Sequence, residues 1–429
     1  MNQAKKGLIF ILDGLGDRPH PALDGCTPLE AALTPNLDKL IRQGQGGMMD
    51  PLLPGLPVDT HTGVGMLFGL PPKDAMRLAR GPIEAAGIGL DMKPGDLLFR
   101  ANLASIERHS DHYQILDRRA GRISEEVADL CRALGDIEVG DQIVASLHPA
   151  TQHRCVLKLS GPMLSDKVTD TDPGGKSSYM ALLPCTPLVS SNSSEEEIAW
   201  RTRSADAVNH FIRVSHEVLD QHPVNHQRLA NAQFAGNGVL LRGSGFYQNH
   251  RNLLSHLGLK TAVIAAESTI LGLGNWFSFN CITEPTMTAL TDTNVELKLD
   301  LAKAALADHD LVYVHLKGTD VAAHDCLPKE KAYFIERFDQ ALGDILDDSL
   351  VVGVCADHST DSIRGEHNGD AVPILISHQY SRIDDVIEYN ERACIRGGLN
   401  RLTAQSFLTT MLDAMGRLSN FSPKNMDYF

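Results

Sequence analysis

Short apolar runs alternate with segments of helical character along most of the chain. These runs are rich in leucine and β-branched residues and are bounded by polar residues; they occupy positions 7–12, 239–241, 261–264, 311–314 and 350–354. Such runs are typical of strands buried on both faces of a parallel sheet, with helices as the crossovers between them. The pattern therefore predicts an α/β fold, with a mostly parallel sheet and helices on both of its faces.

Two helix starts stand out near the N-terminus. Thr27 precedes Pro28 and is followed three residues later by Glu30, and Thr34 precedes Pro35. A threonine N-cap, a proline at the first helical position and a glutamate at the third suit the free amides of a first turn. We predict that a helix begins after each threonine.

The middle of the chain differs from the two ends in its amino-acid composition and pattern. Between about residues 82 and 233 it is richer in short polar strands, arginines and turn residues. One helical stretch there places Val208, Phe211, Ile212 and Leu219 on a single apolar face. A length of 429 residues favours two domains, or one domain with an insertion. We predict a core built from residues 1–80 and 234–429, and a smaller inserted α+β domain at 81–233.

Net charge and cysteine content limit the classes of binding partner and the cellular compartment that we expect. The net charge of −15 argues against nucleic acid and anionic membranes as partners, since both require a basic surface. No uncharged apolar run reaches the roughly 18 residues that would span a membrane. The eight cysteines include no CxxC pair, which is typical of reduced thiols. We therefore expect a cytoplasmic protein.

Acidic residues and histidines follow several of the predicted strands. Asp13 comes directly after the first apolar run, Asp320 and His324 follow the run at 311–314, and Asp357 and His358 follow the run at 350–354, with His367 in the next loop. An Asp-Gly after a strand is most often a turn, and an Asp–His pair four residues apart is often merely exposed. Together, however, the six residues fall at one edge of one sheet. Two metal sites with oxygen and nitrogen ligands are the economical explanation.

A hydroxyl nucleophile is the remaining candidate. Residues 54–63 are rich in glycine, proline and threonine and precede a helix-like segment. A hydroxyl at a helix N-terminus lies in positive potential and can be deprotonated by a metal. Thr60 and Thr62 both fit this description, and either could instead be only an N-cap.

At this point the chain resembles a known family, the cofactor-independent phosphoglycerate mutases of the archaeal type, within the alkaline phosphatase superfamily. The motifs that carry the resemblance run nearly from end to end, at positions 10–14, 27–32, 34–38, 80–85, 95–102, 117–123, 153–154, 169–173, 241–243, 317–325, 356–360, 367–370 and 397–399. So many motifs in the same order are specific for the family. The resemblance implies an alkaline-phosphatase-like core with a substrate-clamping insert.

The resemblance also implies how the site residues divide. Asp320, His324 and His367 would hold one metal ion, and Asp13, Asp357, His358 and the nucleophile oxygen of Thr60 would hold the other. Mixed imidazole and carboxylate ligands suit Mn²⁺ or Zn²⁺ better than Ca²⁺, with Mg²⁺ and Co²⁺ as alternatives. The candidates for binding a small anionic phosphorylated substrate are Asp117, Arg118, His153, Arg154, Arg242 and Lys317.

The chain departs from the family in the nucleophile segment. The serine of the family falls on Thr60, its following aspartate on His61 and a later histidine on Val64. We predict metal-dependent phosphoryl transfer through a phosphothreonine, with interconversion of 3- and 2-phosphoglycerate as the reaction. The alternatives on the same two metals are a phosphate-ester or phosphonate hydrolase and a mutase for another phosphorylated or phosphonate hydroxy-acid. A catalytically silent metal-binding relative is an alternative from another class.

Overall fold

The fold is described from a computed structural model. It covers residues 5–174, 179–247, 252–343, 347 and 349–418. The chain divides into two compact units. The first unit comprises Met1–Leu78 and His250–Phe429, and the second comprises Ala79–Asn249.

The described residues form strands and helices in alternation. The strands are β1 (Gly7–Leu12), β2 (Gly44–Asp50), β3 (Leu97–Arg108), β4 (Tyr113–Asp117), β5 (Asp136–Gly140), β6 (Ile143–Pro149), β7 (Arg154–Ser160), β8 (Gly238–Phe246), β9 (Thr261–Ile264), β10 (Asn280–Ile282), β11 (Leu311–Leu316), β12 (Val351–Cys355), β13 (Ser359–Asp361), β14 (Glu366–Asn368), β15 (Val372–Ser377) and β16 (Asn400–Thr403). The α-helices are α1 (Pro28–Ala31), α2 (Pro35–Arg42), α3 (Thr60–Leu67), α4 (Pro72–Ala75), α5 (Arg80–Gly87), α6 (Val127–Leu134), α7 (Glu195–Asp220), α8 (Pro223–Ala230), α9 (Leu253–His256), α10 (Ser268–Trp276), α11 (Val295–Ala305), α12 (Gly318–His324), α13 (Pro328–Leu342), α14 (Glu391–Cys394) and α15 (Ala404–Ala414).

The first unit is built on an eight-stranded sheet in the order β10-β9-β11-β1-β12-β15-β2-β16. All of its neighbouring strands run parallel except at β15, which pairs antiparallel with both β12 and β2. The predicted α/β fold with a mostly parallel sheet is confirmed. Because β11, β1 and β12 are adjacent and parallel, the residues that follow their carboxyl ends meet at one edge of the sheet.

The helix starts agree with the sequence only in part. Thr27 forms a complete capping box with Glu30, and α1 begins at Pro28 as predicted. The second helix also begins at its predicted proline, Pro35, but the Thr34 side chain makes no capping hydrogen bond. None of the described helices combines the length and apolarity needed to cross a membrane.

The second unit contains an antiparallel sheet. Its strands lie in the order β4-β3-β7-β6-β5, and β8 pairs with β3. The prediction that residues 239–241 belong to the parallel sheet was wrong, because they lie in β8. The predicted end of the insert at residue 233 accordingly precedes the boundary of the unit at Asn249. An apolar run shows that a strand is buried but does not identify its pairing partner.

Candidate metal centre and nucleophile

Two buried carboxylates follow the neighbouring strands β1 and β12. Asp13 and Asp357 are both fully buried. Asp13 Oδ1 and Asp357 Oδ2 lie 3.2 and 3.3 Å from Nε2 of His358, yet neither oxygen accepts a hydrogen bond from the described residues. Buried carboxylate oxygens without partners are costly unless a cation satisfies them. Asp13, Asp357 and His358 therefore fit a divalent metal ion.

A second group of ligand atoms surrounds Asp320, on α12. Asp320 Oδ1 lies 3.4 Å from His324 Nε2 and 3.6 Å from His367 Nε2, and the two imidazole nitrogens are 3.2 Å apart. The His358 ring stacks on the His367 ring with centroids 3.7 Å apart, so His358 is close to this group as well. The structure thus brings all six predicted Asp and His ligands together, with His358 adjoining both groups.

Thr60 is the first residue of α3 and lies beside these groups. Its hydroxyl is 3.1 Å from His358 Nε2 and 3.2 Å from Lys317 Nζ. The N-cap of α3 is Asp59, so Thr60 is not an N-cap. A side chain at Gly63, one turn along the helix, would collide with the backbone of Asp357, and the glycine therefore permits the close approach of α3. The hydroxyl is buried at a helix N-terminus, where partial positive charge favours an anion.

Lys317 links the two groups electrostatically. Its Nζ donates to Asp13 Oδ2 at 2.9 Å and lies 2.7 Å from Asp320 Oδ2. Burial lowers the pKa of Lys317, but the two carboxylates outweigh burial and raise it. Burial likewise raises the pKa of Asp13, and Lys317 and His315 reverse that shift and hold it well below its usual range. By contrast, burial and the neighbouring charge of Asp13 raise the pKa of Asp357 well above its usual range. One lysine does not neutralise three acids, which again favours cations.

Comparison with known proteins agrees with this geometry. A sequence model described as 2,3-bisphosphoglycerate-independent phosphoglycerate mutase matches residues 42–225. The chain is 36% identical over 419 residues to 2,3-bisphosphoglycerate-independent phosphoglycerate mutase 1 of Methanothermobacter thermautotrophicus, covering 97% of this chain and 99% of the relative. It is 38% identical over 424 residues to the mutase of Pyrococcus horikoshii, covering 97% and 98%. The chain belongs to the family of 2,3-bisphosphoglycerate-independent phosphoglycerate mutases.

Solved structures extend the family likeness to the fold. The cofactor-independent phosphoglycerate mutase of Thermoplasma acidophilum is 29% identical, with a TM-score of 0.67 over 96% of this chain and all of that one. A protein structure from Pyrococcus horikoshii is 32% identical, with a TM-score of 0.80 over 98% of this chain and 100% of that one. The family predicted from the sequence motifs is confirmed.

The substrate-binding residues predicted from the family resemblance fall in the second unit, except Lys317. Arg242 on β8 lies opposite Arg100 on β3, and Arg154 on β7 lies opposite Asn102 on β3. Nε of Arg100 and Arg242, Oδ1 of Asn102 and Nδ1 of His153 are buried and make no hydrogen bond with described residues. These four residues and Arg154 are called the arginine face below.

Burial and, after it, neighbouring positive charges lower the pKa values of Arg100 and His153 on this face. Burial, followed by the charges of Arg154 and Arg242, lowers the pKa of Arg100 to about 10. Burial and Arg154 lower the pKa of His153 to about 4, which leaves that imidazole neutral at pH 7. The other two predicted residues are engaged within the unit: Arg118 donates to Asp172 at 2.6 Å, and Asp117 Oδ1 accepts from the amides of Arg119 and Gly121. The face is suited to an anion.

Several residues that shape the site were not predicted. His315 donates through Nε2 to Asp13 Oδ2 at 2.9 Å, and Thr360 donates to Asp320 Oδ1 at 2.7 Å. Arg100 and Asn102 complete the arginine face. His315 could have been noticed in the sequence, because it is an imidazole inside the apolar strand β11, whose carboxyl end lies beside the candidate metal ligands. Thr360 had no comparable signal beyond its position two residues after His358.

Proposed function

We propose that this protein interconverts 3-phosphoglycerate and 2-phosphoglycerate without 2,3-bisphosphoglycerate, by phosphoryl transfer through Thr60. The observation that carries the proposal is the position of the Thr60 hydroxyl, 3.1 Å from His358 and 3.2 Å from Lys317, beside buried carboxylate oxygens without partners. Family membership supports the same reaction, since the relatives are named for it.

The chemistry is divided between the side chains and the bound cations. Divalent cations bound by Asp13, Asp357 and His358 and by Asp320, His324 and His367 would lower the pKa of the Thr60 hydroxyl and offset charge on the phosphoryl group. The N-terminus of α3 and the ammonium of Lys317 favour the Thr60 alkoxide. In the first step Thr60 loses its hydroxyl proton and the bond from phosphorus to Thr60 Oγ1 forms, while the bond from phosphorus to the substrate oxygen breaks. That oxygen takes up a proton, so that glycerate carries a hydroxyl and the proton count is unchanged.

The second step requires that glycerate stays bound and reorients. Its other hydroxyl then loses its proton and attacks phosphorus, the bond from phosphorus to Thr60 Oγ1 breaks, and Thr60 Oγ1 takes up a proton. We assign the binding of the anionic groups to Arg118, Arg154 and Arg242, and contacts with the hydroxyls to Asp117 and His153. Charged hydrogen bonds of this kind contribute roughly 1.5–3 kcal/mol each. Water must be excluded meanwhile, or the phosphothreonine would hydrolyse.

One observation favours a hydrolase as a second candidate. The His324 side chain is 41% exposed, and it lies with His367 on a cavity of about 370 Å³ through which water can reach the site. A hydrolase of phosphate esters or phosphonates would use Thr60 and the same cations, and water would attack the phosphothreonine.

Phosphorus NMR separates these candidates. The protein is loaded with Mn²⁺, incubated with 3-phosphoglycerate and quenched with excess chelator before the spectrum is recorded. We expect 2-phosphoglycerate without inorganic phosphate. Inorganic phosphate as the sole new signal would establish the hydrolase instead. An unchanged spectrum would reject both reactions of 3-phosphoglycerate and direct the search to phosphonates and other phosphorylated hydroxy-acids.

A further inference from the structure

Thr360 lies between ligands that the proposed function assigns to different metal ions. It is a fully buried residue of β13. Its hydroxyl is 2.7 Å from Oδ1 of Asp320 and 3.1 Å from Nδ1 of His358. Its register partner in the antiparallel pair β13–β14 is His367. The Thr360 hydroxyl thus contacts one candidate ligand of each ion, and the Thr360 backbone pairs with that of a third candidate ligand, His367.

The direction of the two hydrogen bonds follows from proton counting. A hydroxyl carries one proton, and an ionised carboxylate accepts only. Lys317 keeps Asp320 ionised, because its ammonium lies 2.7 Å from the other carboxylate oxygen. Thr360 therefore donates to Asp320, and its oxygen accepts the Nδ1–H of His358. In a neutral imidazole this leaves Nε2 without a proton. Nε2 is the atom that lies near Asp13, Asp357 and Thr60.

The backbone of Thr360 is fixed by a buried lysine. Lys331 on α13 is fully buried and donates to the carbonyl of Thr360 at 3.0 Å, the carbonyl of Gly16 at 3.2 Å and Asp17 Oδ2 at 2.8 Å. The amide of Thr360 in turn donates to the Gly16 carbonyl at 3.0 Å. All three ammonium protons of Lys331 therefore have acceptors. This arrangement fastens β13 to the segment that follows β1.

Gly14 leaves room for the hydroxyl. A Cβ atom at that position would collide with Thr360 Oγ1 and lie 2.8 Å from Asp320 Oδ1. Gly14 also adopts a φ of 65°, which favours glycine. The close approach of the segment after β1 to β13 thus depends on a residue without a side chain.

We propose that Thr360 is a positioning residue that couples the two candidate metal sites. It holds His358 in the tautomer with the proton on Nδ1, and through the same hydroxyl it orients the Asp320 oxygen that faces His324 and His367. The proposal rests on the two-cation site of the proposed function, but not on the identity of the substrate. Groups that orient metal ligands in this way typically contribute about 10–100-fold to metal affinity.

The test compares three variants in titrations of metal-free protein with MnCl₂. Thr360→Val keeps the shape and the β-branch but lacks the hydroxyl, and Thr360→Ser keeps the hydroxyl. Thr261→Val is the matched control, because Thr261 is a buried strand residue of the same unit whose hydroxyl makes no hydrogen bond with described residues. We expect Thr360→Val to weaken the binding of both Mn²⁺ ions by about 10–100-fold. The serine variant and the control should bind as the wild type does.

Nitrogen-15 NMR of the imidazoles in metal-free protein gives a readout that a purely structural role would not change. The His358 signals are identified by their absence from the His358→Asn spectrum. In the wild type and in Thr360→Ser the proton should reside on Nδ1, and in Thr360→Val the ring should populate the other tautomer. If Thr360→Val fails to fold, the wild-type and serine spectra still decide the assignment of the proton.

Four results would overturn the proposal. Three of them are wild-type affinity of Thr360→Val for both ions, weaker binding of only one ion, and a wild-type His358 with its proton on Nε2. The fourth is a wild-type protein that binds no Mn²⁺. None of these measurements uses a substrate. Failure of the mutase assay with two Mn²⁺ ions bound would therefore refute the proposed reaction and leave the role of Thr360 intact.

Discussion

The two units bury charge of opposite sign. In the first unit Asp13, Asp320 and Asp357 surround one lysine, and two of their buried carboxylate oxygens, Asp13 Oδ1 and Asp357 Oδ2, accept no hydrogen bond from the described residues. In the second unit the arginine face leaves guanidinium Nε atoms without partners. The first arrangement suits cations, and the second suits an anion with hydrogen-bond acceptors. The proposed reaction would use cations in the first unit and anion-binding groups in the second, so the contrast gives each unit a separate and testable task.

Loss of the proposed nucleophile, Thr60, is the largest effect expected in the first unit. Thr60→Ala should lower kcat by about 10⁴-fold or more, because removal of a nucleophile leaves only the binding contribution to catalysis. Binding of Mn²⁺ should persist, since Asp13, Asp357 and His358 remain. The measurement is initial rate with 3-phosphoglycerate, together with the metal content of the purified variant.

Thr62→Ala is the matched control for this prediction. Thr62 is a threonine of the same helix and the other sequence candidate for the nucleophile. It should retain most of the activity. A Thr60→Ala enzyme with substantial turnover would remove Thr60 from the mechanism, and loss of activity in Thr62→Ala alone would transfer the role to Thr62.

The second unit should respond most strongly to loss of a buried countercharge. Glu84 and Arg100 are both buried and form an ion pair at 3.5 Å. Glu84→Gln should lower the free energy of unfolding by about 3–5 kcal/mol, because a buried guanidinium loses its countercharge. Chemical denaturation monitored by circular dichroism measures the loss.

A surface ion pair of the same unit provides the comparison. Arg132 and Asp129 lie 2.6 Å apart with side chains 75% and 55% exposed. Asp129→Asn should change stability by no more than about 1 kcal/mol. Equal losses of stability in the two variants would show that burial of positive charge in the second unit carries no special cost. The contrast between the two units would then be wrong for the second unit.

Substrate affinity should depend on the arginine face. Arg242→Met should raise KM for 3-phosphoglycerate by about 10–100-fold, which corresponds to a lost charged hydrogen bond of roughly 1.5–3 kcal/mol. Mn²⁺ affinity should not change, since the candidate metal ligands belong to the first unit. Steady-state kinetics and metal titration check the two statements separately, with the exposed Arg132→Met as control. An unchanged KM would show that Arg242 of the arginine face does not contribute to substrate binding.

The sequence predicted which acidic and histidine side chains lie together better than it predicted the sheets or the supporting network. Asp13 and Asp357 were predictable because a parallel strand delivers the residue after its carboxyl end to a known edge. The pairing of β8 was not, because pairing is a long-range property and residues 239–241 are apolar in either sheet. Thr360 and Lys331 were also missed. A threonine in a short strand and a lysine on a helix usually face solvent, and only the tertiary structure shows that both are buried.

A pH dependence tests whether a buried carboxyl of the first unit destabilises the fold when it has no cation of its own. Glu391 Oε2 accepts from Thr27, while Oε1 is shielded from solvent and accepts no hydrogen bond from the described residues. Burial raises the pKa of Glu391 from 4.5 to about 7. The folded state therefore holds this proton more tightly than the unfolded state does. The ionisation of Glu391 therefore does not affect stability at or below pH 4.5, and it lowers stability as the pH rises towards 7, by up to about 1.4 kcal/mol per pH unit.

Glu391→Gln replaces the carboxyl by a neutral group of the same shape and should remove this decline. The variant should then exceed the wild type in stability at pH 8, and the two should converge near pH 4.5. Glu388→Gln, an exposed neighbour, should follow the wild type throughout. Denaturation midpoints between pH 4.5 and 8 make the comparison. A decline that persists in Glu391→Gln would assign it to other groups. Its disappearance would show that a buried carboxylate of the first unit destabilises the fold when no cation neutralises it, even away from the candidate metal ligands.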